Sequence, residues 1–279
     1  MFEQVSPEVG ELNEDALGDA MDDDPDATMA MLADLTAATD RKLRELARRM
    51  AGRLFLDLSR RGPSRPRGVG KMVEQRYRPD GGDIDLDASF DAIVDAGGRG
   101  RAVDPDRLRV RGWVKPGTAF CLMVDRSGSM GGKPLATSAV AAAAVAWRAP
   151  DDYSVIAFAK DAVVAKSQDV VKPGERVVND VLSLRGFGTT DLAGALRVGA
   201  EQLGRSRAGR KIGVLLSDCR ATVDGDPMLA AAGFDELVVI APEGDSDEAA
   251  AFAKRVGARL TTAAGPSSVV DALDRVLSS

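Results

Sequence analysis

The chain has 279 residues, of which 44% are hydrophobic and 29% are charged, proportions ordinary for a folded globular protein. It contains no histidine. This excludes Ser-His-Asp and Cys-His nucleophile systems, histidine acid–base catalysis and nearly all zinc sites. The modest net charge of −6 conceals a strong segregation of charge along the chain.

The N-terminal segment is acidic and the segment after it is basic. Residues 1–40 hold twelve acids and no lysine or arginine, whereas residues 41–78 hold thirteen lysines or arginines and three acids. We predict that residues 1–27 form an acidic, solvated and partly disordered tail.

Apolar spacing after this tail indicates helix. Between residues 28 and 59 apolar side chains recur three and four positions apart, with arginines between them: Leu43, Leu46, Met50, Leu54 and Leu58. A basic loop rich in glycine and proline follows over 62–68, and a second helix is predicted over about 87–95. Residues 28–112 are therefore predicted to form a helical, basic N-terminal region.

The arginine-rich stretch over 41–67 leaves two functions open. It could bind the phosphates of a nucleic acid, an interaction that would weaken steeply with salt. It lacks interleaved aromatic residues, however, and an acidic segment of similar charge precedes it. Neutralisation by that segment, or docking on an acidic protein, is therefore the favoured interpretation.

From residue 119 onward, apolar strands alternate with helices, a pattern typical of a doubly wound α/β fold with a mostly parallel, Rossmann-like sheet. We place this domain at 115–279. The predicted strands are 118–124, 153–159, 162–167, 211–217, 236–241 and 259–262. The predicted helices lie near 133–148, 174–183, 191–203, 226–232, 246–256 and 267–277. The second and third strands are close enough to form a hairpin, which would place one antiparallel strand at the edge.

Two cysteines and the N-terminal sequence bear on the compartment. Cys121 and Cys219 lie in or beside apolar strands without Cys-x-x-Cys spacing, so we expect two buried free thiols in a reducing compartment. The N-terminus is acidic and has no basic start followed by an apolar core, so we expect no signal peptide. The alanine-rich run over 135–147 is too short to span a bilayer. A cytoplasmic protein without a membrane segment is the expectation.

Oxygen-bearing side chains follow three predicted elements. Asp125 ends an apolar strand and begins the run Asp-Arg-Ser-Gly-Ser, which includes Ser127 and Ser129. Thr190 precedes a predicted helix, and Asp218 ends another apolar strand. A parallel sheet would gather these positions at one edge, and hard divalent cations such as Mg²⁺ prefer such oxygen sets. Each segment taken alone is also explained by loop capping and turn formation.

These residues resemble the von Willebrand factor A domain and its metal-ion-dependent adhesion site, whose motif is Asp-x-Ser-x-Ser followed by a Thr and an Asp. The resemblance covers roughly 115–279. It implies the ligand set Asp125, Ser127, Ser129, Thr190 and Asp218, with the hydroxyls binding directly and the two carboxylates acting mostly through water. Thr189 competes with Thr190 for one position, and Asp191 is either a supporting residue or a helix N-cap. The implied ion is Mg²⁺ or Mn²⁺, completed by an Asp or Glu of a partner.

The resemblance extends to the bacterial CoxE-like group, in which a helical N-terminal region precedes a single von Willebrand A domain. Members commonly work beside MoxR-type AAA+ ATPases in complex maturation or remodelling. Residues 65–72 do not complete a Walker motif, so the ATPase would be a separate protein and this chain a non-enzymatic adaptor. A Mg²⁺-dependent hydrolase using Asp125 is less favoured, because Arg126 and Ser127 stand where a second carboxylate would be needed.

Overall fold

The computed structural model describes residues 12–37, 41–59, 71–76, 83–97, 103–114, 117–126, 132–184 and 188–277. The chain divides into two compact units. The first combines residues 1–66 with 118–279, and the second comprises residues 67–117. The N-terminal helices therefore share a unit with the α/β domain, whereas the predicted boundaries, 28–112 and 115–279, separate them.

Three helices occupy the described part of the N-terminal segment: α1 (Glu14–Asp23), α2 (Pro25–Leu35) and α3 (Arg41–Ser59). Helix α1 and the start of α2 lie within 1–27, where an acidic, partly disordered tail was predicted. Residues 1–11 lie outside the described residues. Helix α1 forms because the Asn13 side chain accepts the N–H of Asp15 and Ala16, at 3.1 Å each. The helix is held against the rest of the unit by Leu17, which is only 2% exposed and packs into the hydrophobic core.

Helix α3 confirms the predicted amphipathic helix and shows which face is covered. Ala47, Ala51 and Phe55, four residues apart, are fully buried, and Met50 packs partly against the same core. The side chains of Leu43, Leu46, Leu54 and Leu58 lie outside the described residues.

The described residues of the second unit form three antiparallel strands, one α-helix and a short 3-10 helix (Pro105–Arg107). The strands and the α-helix are β1 (Lys71–Arg76), β2 (Asp83–Ile84), α4 (Leu86–Gly97) and β3 (Arg109–Val114), with the strand order β1-β3-β2. Helix α4, predicted over 87–95, is confirmed. It is joined to β3 by Ser89, whose hydroxyl accepts the N–H of Arg109 at 2.9 Å. The three strands were not predicted.

The first unit is built around a six-stranded sheet. Its strands are β4 (Thr118–Asp125), β5 (Tyr153–Phe158), β6 (Ala162–Lys166), β7 (Arg210–Leu216), β8 (Glu236–Pro242) and β9 (Arg259–Ala263). The helices between and after them are α5 (Gly132–Arg148), α6 (Gly174–Ser183), α7 (Leu192–Gly204), α8 (Pro227–Ala231), α9 (Asp247–Val256) and α10 (Pro266–Leu277). The order is β6-β5-β4-β7-β8-β9, with β6 antiparallel to β5 and every other pair parallel. The predicted doubly wound α/β fold and its antiparallel edge hairpin are confirmed.

Each face of the sheet has its own hydrophobic core. Successive side chains of β4 alternate between them, as a strand with a two-residue period requires. Phe120, Leu122 and Val124 belong to the core that contains α5, whereas Cys121 and Met123 belong to the core that contains α7 and α9. Burial on both faces explains the continuous apolar strands of the sequence.

Helix α5 is buried on almost every side. Residues 138–146 are all buried, although they include faces that point away from the sheet. These outer faces are covered by α2, α3, α6 and α10. A helix that is apolar all round must be enclosed, and its alanines let the neighbours approach closely. The N-terminal helices thus complete the core. None of the helices in the described ranges is long and apolar enough to cross a membrane.

We predict that Phe55→Ala lowers the free energy of unfolding of the α/β unit by about 3 to 5 kcal/mol, because it opens a cavity in a closed core. Phe90→Ala is the matched control, since Phe90 is 63% exposed; its effect should stay within about 0.5 kcal/mol. Urea denaturation followed by circular dichroism measures both. Equal effects would contradict the assignment of α3 to the core.

Candidate metal centre

Strands β4 and β7 lie side by side at the centre of the sheet, and their carboxyl ends form the candidate site. In their parallel register Val124 is paired with Leu216, so Asp125 and Ser217 come next to each other. The Ser217 hydroxyl donates a hydrogen bond of 2.6 Å to Oδ2 of Asp125. The same hydroxyl accepts the backbone N–H of Cys219 at 2.8 Å. Ser217, 4% exposed, therefore ties the two strand ends together.

The turn after β7 has an unusual backbone conformation. Cys219 adopts a φ of 63°, in the left-handed region that non-glycine residues rarely occupy. Such strain persists where the surroundings hold it in place, and it often marks functional loops. Asp218 lies between Ser217 and Cys219, which are hydrogen-bonded to each other, and its carboxylate accepts the N–H of Arg220 at 3.0 Å. The turn thus holds a half-buried carboxylate at the strand end.

The segment around Thr190 is attached to both neighbours of β4. The N–H of Asp191 donates to the carbonyl of Ala159, after β5, at 2.7 Å. The N–H of Thr190 donates to the Thr222 hydroxyl, after β7, at 2.7 Å. Since β5 and β7 flank β4, the segment passes across the carboxyl end of β4, where Asp125 lies. The structure therefore gathers chain segments from three loops at this edge.

The predicted ligands differ in how far the structure describes them. Asp125, Thr190 and Asp218 lie at the carboxyl edge of the sheet, whereas Ser127 and Ser129 lie outside the described residues. Thr190 is 2% exposed. Thr189 is exposed.

Two supporting residues have roles that the structure defines. Asp191 is the N-cap of α7, and its carboxylate accepts the N–H of Gly194 at 2.7 Å, which confirms the N-cap interpretation. Sequence reasoning missed Ser217. The only signal was its position between an apolar strand and Asp218, which could not identify its partner across the sheet.

A cavity of about 440 Å³ opens beside these strand ends. At one end it is lined by Asp125, Ser217 and Asp218, and one wall is the first turns of α5. The remaining lining residues come from the ends of β7, β8 and β9 and the turns after them: Leu216, Ile240, Ala241, Pro242, Asp245, Ala263, Ala264 and Gly265. A ligand held at the strand ends would therefore have an open space next to it.

The cysteine nearest the site is held in its neutral form. Burial, with the nearby carboxylates of Asp218 and Asp125, raises the pKa of Cys219 to about 12. Burial also raises the pKa of Cys121 to about 12. Both cysteines are buried free thiols, as predicted. Because metal ligation and nucleophilic attack require the thiolate, neither thiol is suited to these roles at neutral pH.

The donors fit a hard cation better than a soft one. Within the described ranges no three His, Cys, Asp or Glu side chains converge on one point. A cation at this edge would thus combine the carboxylates of Asp125 and Asp218 with hydroxyl or water oxygens. Oxygen-only sets with few carboxylates and retained water are typical of Mg²⁺. The residues present therefore fit Mg²⁺ or Mn²⁺.

No protein-family model and no curated protein sequence matches the chain. Solved structures with a similar fold include a von Willebrand factor type A protein from Catenulispora acidiphila, with 14% identity and a TM-score of 0.45. The PilB minor pilin of Streptococcus sanguinis is 13% identical with a TM-score of 0.45. BatB from Bacteroides thetaiotaomicron is 13% identical with a TM-score of 0.40.

The match to the Catenulispora protein covers 61% of this chain and 43% of that protein. The match to PilB covers 61% of this chain and 63% of PilB, and the match to BatB covers 58% of this chain and 96% of BatB. The chain thus spans less than half of the Catenulispora protein. The doubly wound α/β fold is assigned from the strand order and register of this chain.

We predict that Ser217→Ala lowers the free energy of unfolding by about 1 to 3 kcal/mol, because the Asp125 carboxylate and the Cys219 N–H both lose a buried partner. The control is Ser246→Ala, since Ser246 begins α9 without a side-chain capping bond. Chemical denaturation compares the two variants. A loss no larger than that of the control would show that Ser217 does not join the strand ends.

Proposed function

We propose that this chain is a non-catalytic protein-binding module of the von Willebrand factor A type. In this proposal a Mg²⁺ or Mn²⁺ ion at the carboxyl edge of the sheet binds an Asp or Glu side chain of a partner protein. The ion is held by the adhesion-site residues Asp125, Ser127, Ser129, Thr190 and Asp218.

The observation that carries the proposal is the hydrogen bond between Ser217 and Asp125, 2.6 Å long, which joins the ends of β4 and β7. It brings the first and last elements of the sequence motif to the same edge. The attachment of Thr190 across the end of β4 adds the third element. Since Thr190 is buried and anchored whereas Thr189 is exposed, we assign the ligand role to Thr190.

The donor chemistry favours binding over catalysis. An ion held mainly by neutral hydroxyls keeps much of its positive charge, so it attracts a carboxylate from outside. The chain has no histidine to serve as a general base. Asp125 accepts a hydrogen bond from Ser217, which suits a fixed ligand. We therefore assign no catalytic residue and favour this module over a Mg²⁺-dependent hydrolase.

The proposed partner is a separate MoxR-type AAA+ ATPase, and the proposed setting is protein complex maturation or remodelling in the bacterial cytoplasm. This part follows the resemblance of residues 124–130 to the CoxE-like group. The two free thiols support a reducing compartment.

We do not extend the proposal to nucleic acid, although arginines are concentrated over 41–67. Helix α3 supplies most of this stretch, and its buried face, centred on Ala51 and Phe55, packs into the core. Arg49 and Arg53 on the same helix are exposed. An amphipathic helix that covers α5 explains this pattern without a phosphate ligand.

We predict that the protein binds Mg²⁺ and Mn²⁺ and that Asp218→Asn weakens this binding about 10- to 100-fold, as the loss of a ligating or supporting carboxylate does elsewhere. Isothermal titration calorimetry of the full chain measures the affinity. Asp245→Asn is the matched control, because Asp245 lines the same cavity but lies outside the proposed ligand set. Unchanged affinity in Asp218→Asn, or an equal loss in both variants, would contradict the proposed site.

A further inference from the structure

The cavity beside the strand ends has two chemically different ends. Toward β4 and β7 it presents the carboxylates of Asp125 and Asp218 and the hydroxyl of Ser217. Toward β8 and β9 its lining is mainly apolar, and the charged residue there, Asp245, is paired with Arg220. The apolar residues at this end are Ile240, Ala241, Pro242, Ala263 and Ala264. A ligand that spans the cavity would therefore place a polar group at one end and an apolar group at the other.

The two hydroxyl side chains of the α5 wall are already engaged within the helix. The Thr137 hydroxyl donates to the carbonyl of Lys133 at 2.8 Å, and the Ser138 hydroxyl donates to the carbonyl of Pro134 at 2.9 Å. Each hydroxyl carries one proton, so neither has a second to give to a ligand. Apart from the exposed Lys133, this wall therefore offers mainly its carbon atoms to the cavity.

The turn after β9 is engaged in the same way. The backbone N–H groups of Ala264 and Gly265 both donate to the Ser268 hydroxyl, at 2.9 and 3.0 Å. They are directed to that side chain and not to a ligand. The far end of the cavity consequently suits an apolar group better than an anion.

Both helices that begin beside the cavity already hold a carboxylate. The N–H of Gly132, at the start of α5, donates to Asp34 at 2.6 Å, and the N–H of Ser267, at the start of α10, donates to Asp26 at 2.8 Å. A helix N-terminus attracts anions, but α2 supplies an anion to each of these two. Neither helix N-terminus is thus open to an incoming carboxylate, which leaves the ion at the β4 and β7 ends and the Lys133 ammonium on the cavity wall to attract it.

The distance between the two ends matches an extended peptide. Adjacent strands lie about 4.8 Å apart, so an ion midway between the β4 and β7 ends lies about 7 Å from the end of β8. In an extended chain, side chains two residues apart point the same way and are separated by about 6.7 Å. We infer that the partner segment is extended and carries an apolar side chain two residues from the acidic residue that binds the ion. This inference rests on the proposed function and specifies its partner.

Four pentapeptides test it. In the presence of Mg²⁺, Gly-Glu-Gly-Leu-Gly or Gly-Leu-Gly-Glu-Gly should bind the full chain about tenfold more tightly than Gly-Glu-Gly-Gly-Gly, since a leucine side chain leaves water. The isomer Gly-Glu-Leu-Gly-Gly, whose leucine points to the opposite side, should show no such gain. All peptides are capped at both ends, and NMR titration of isotope-labelled protein measures the affinities.

A substitution in the cavity tests whether the leucine side chain binds there. Ala264→Leu fills part of the apolar end and should abolish the tenfold preference, while the Mg²⁺-dependent binding of Gly-Glu-Gly-Gly-Gly is retained. Ala232→Leu is the matched control, because Ala232 is also exposed and does not line the cavity. The control should keep the full preference.

The outcomes separate the two proposals. If no peptide binds more tightly in Mg²⁺ than in EDTA, the proposed function fails and the inference fails with it. If every glutamate peptide binds equally in Mg²⁺ and none in EDTA, the function is supported and the inference is overturned. A leucine preference that survives Ala264→Leu also overturns the assignment to this cavity.

Discussion

The parallel pairing of β4 with β7 is the constraint on which the site depends. It brings together Asp125 and Ser217, which are 92 residues apart in sequence, and converts two strand ends into one polar edge. The connection between them includes the β5–β6 hairpin on one side of β4, whereas β7 lies on the other side. The crevice thus lies where the strand order reverses, the position at which doubly wound folds bind their ligands.

The second constraint is the burial of α5. Its alanine-rich surface requires cover beyond the sheet, and the N-terminal helices supply it. The same packing brings Asp34 to the start of α5 and Asp26 to the start of α10. Capping interactions of this kind contribute about 0.5 to 2 kcal/mol each. A Cβ at position 265 would collide with the Asp26 carboxylate, so a larger residue there would force that side chain to shift. Helix α2 therefore stabilises both helices that border the cavity.

Much of the α/β domain could be predicted from the sequence, because apolar strands buried on both faces alternate regularly with helices. The helical structure within 14–27 was missed because the acidic composition of this segment predicted disorder. The signal for a helix was weak: Leu17 and Met21 are four residues apart and follow a capping residue, Asn13. The strand at 109–114 was missed although Val110 lies between two arginines, an alternation typical of β structure.

The residue types of the candidate site could be predicted from the sequence, but the contacts that hold these residues in position could not. The oxygen-bearing residues follow a recognisable spacing, whereas Ser217 and Thr222 act through contacts with other strands that no local pattern reveals. The ligand roles of all five residues, Asp125, Ser127, Ser129, Thr190 and Asp218, stay predictions. The cavity could not be foreseen, because its apolar end depends on how β8, β9 and α5 pack around it.

The most direct test of the central claim is X-ray diffraction from crystals of the full chain grown with Mn²⁺, with data collected at the manganese absorption edge. The account predicts one anomalous peak at the carboxyl ends of β4 and β7, between Asp125 and Asp218 and in contact with the Thr190 hydroxyl. A peak elsewhere on the protein, or none at this edge in well-ordered crystals, would contradict it.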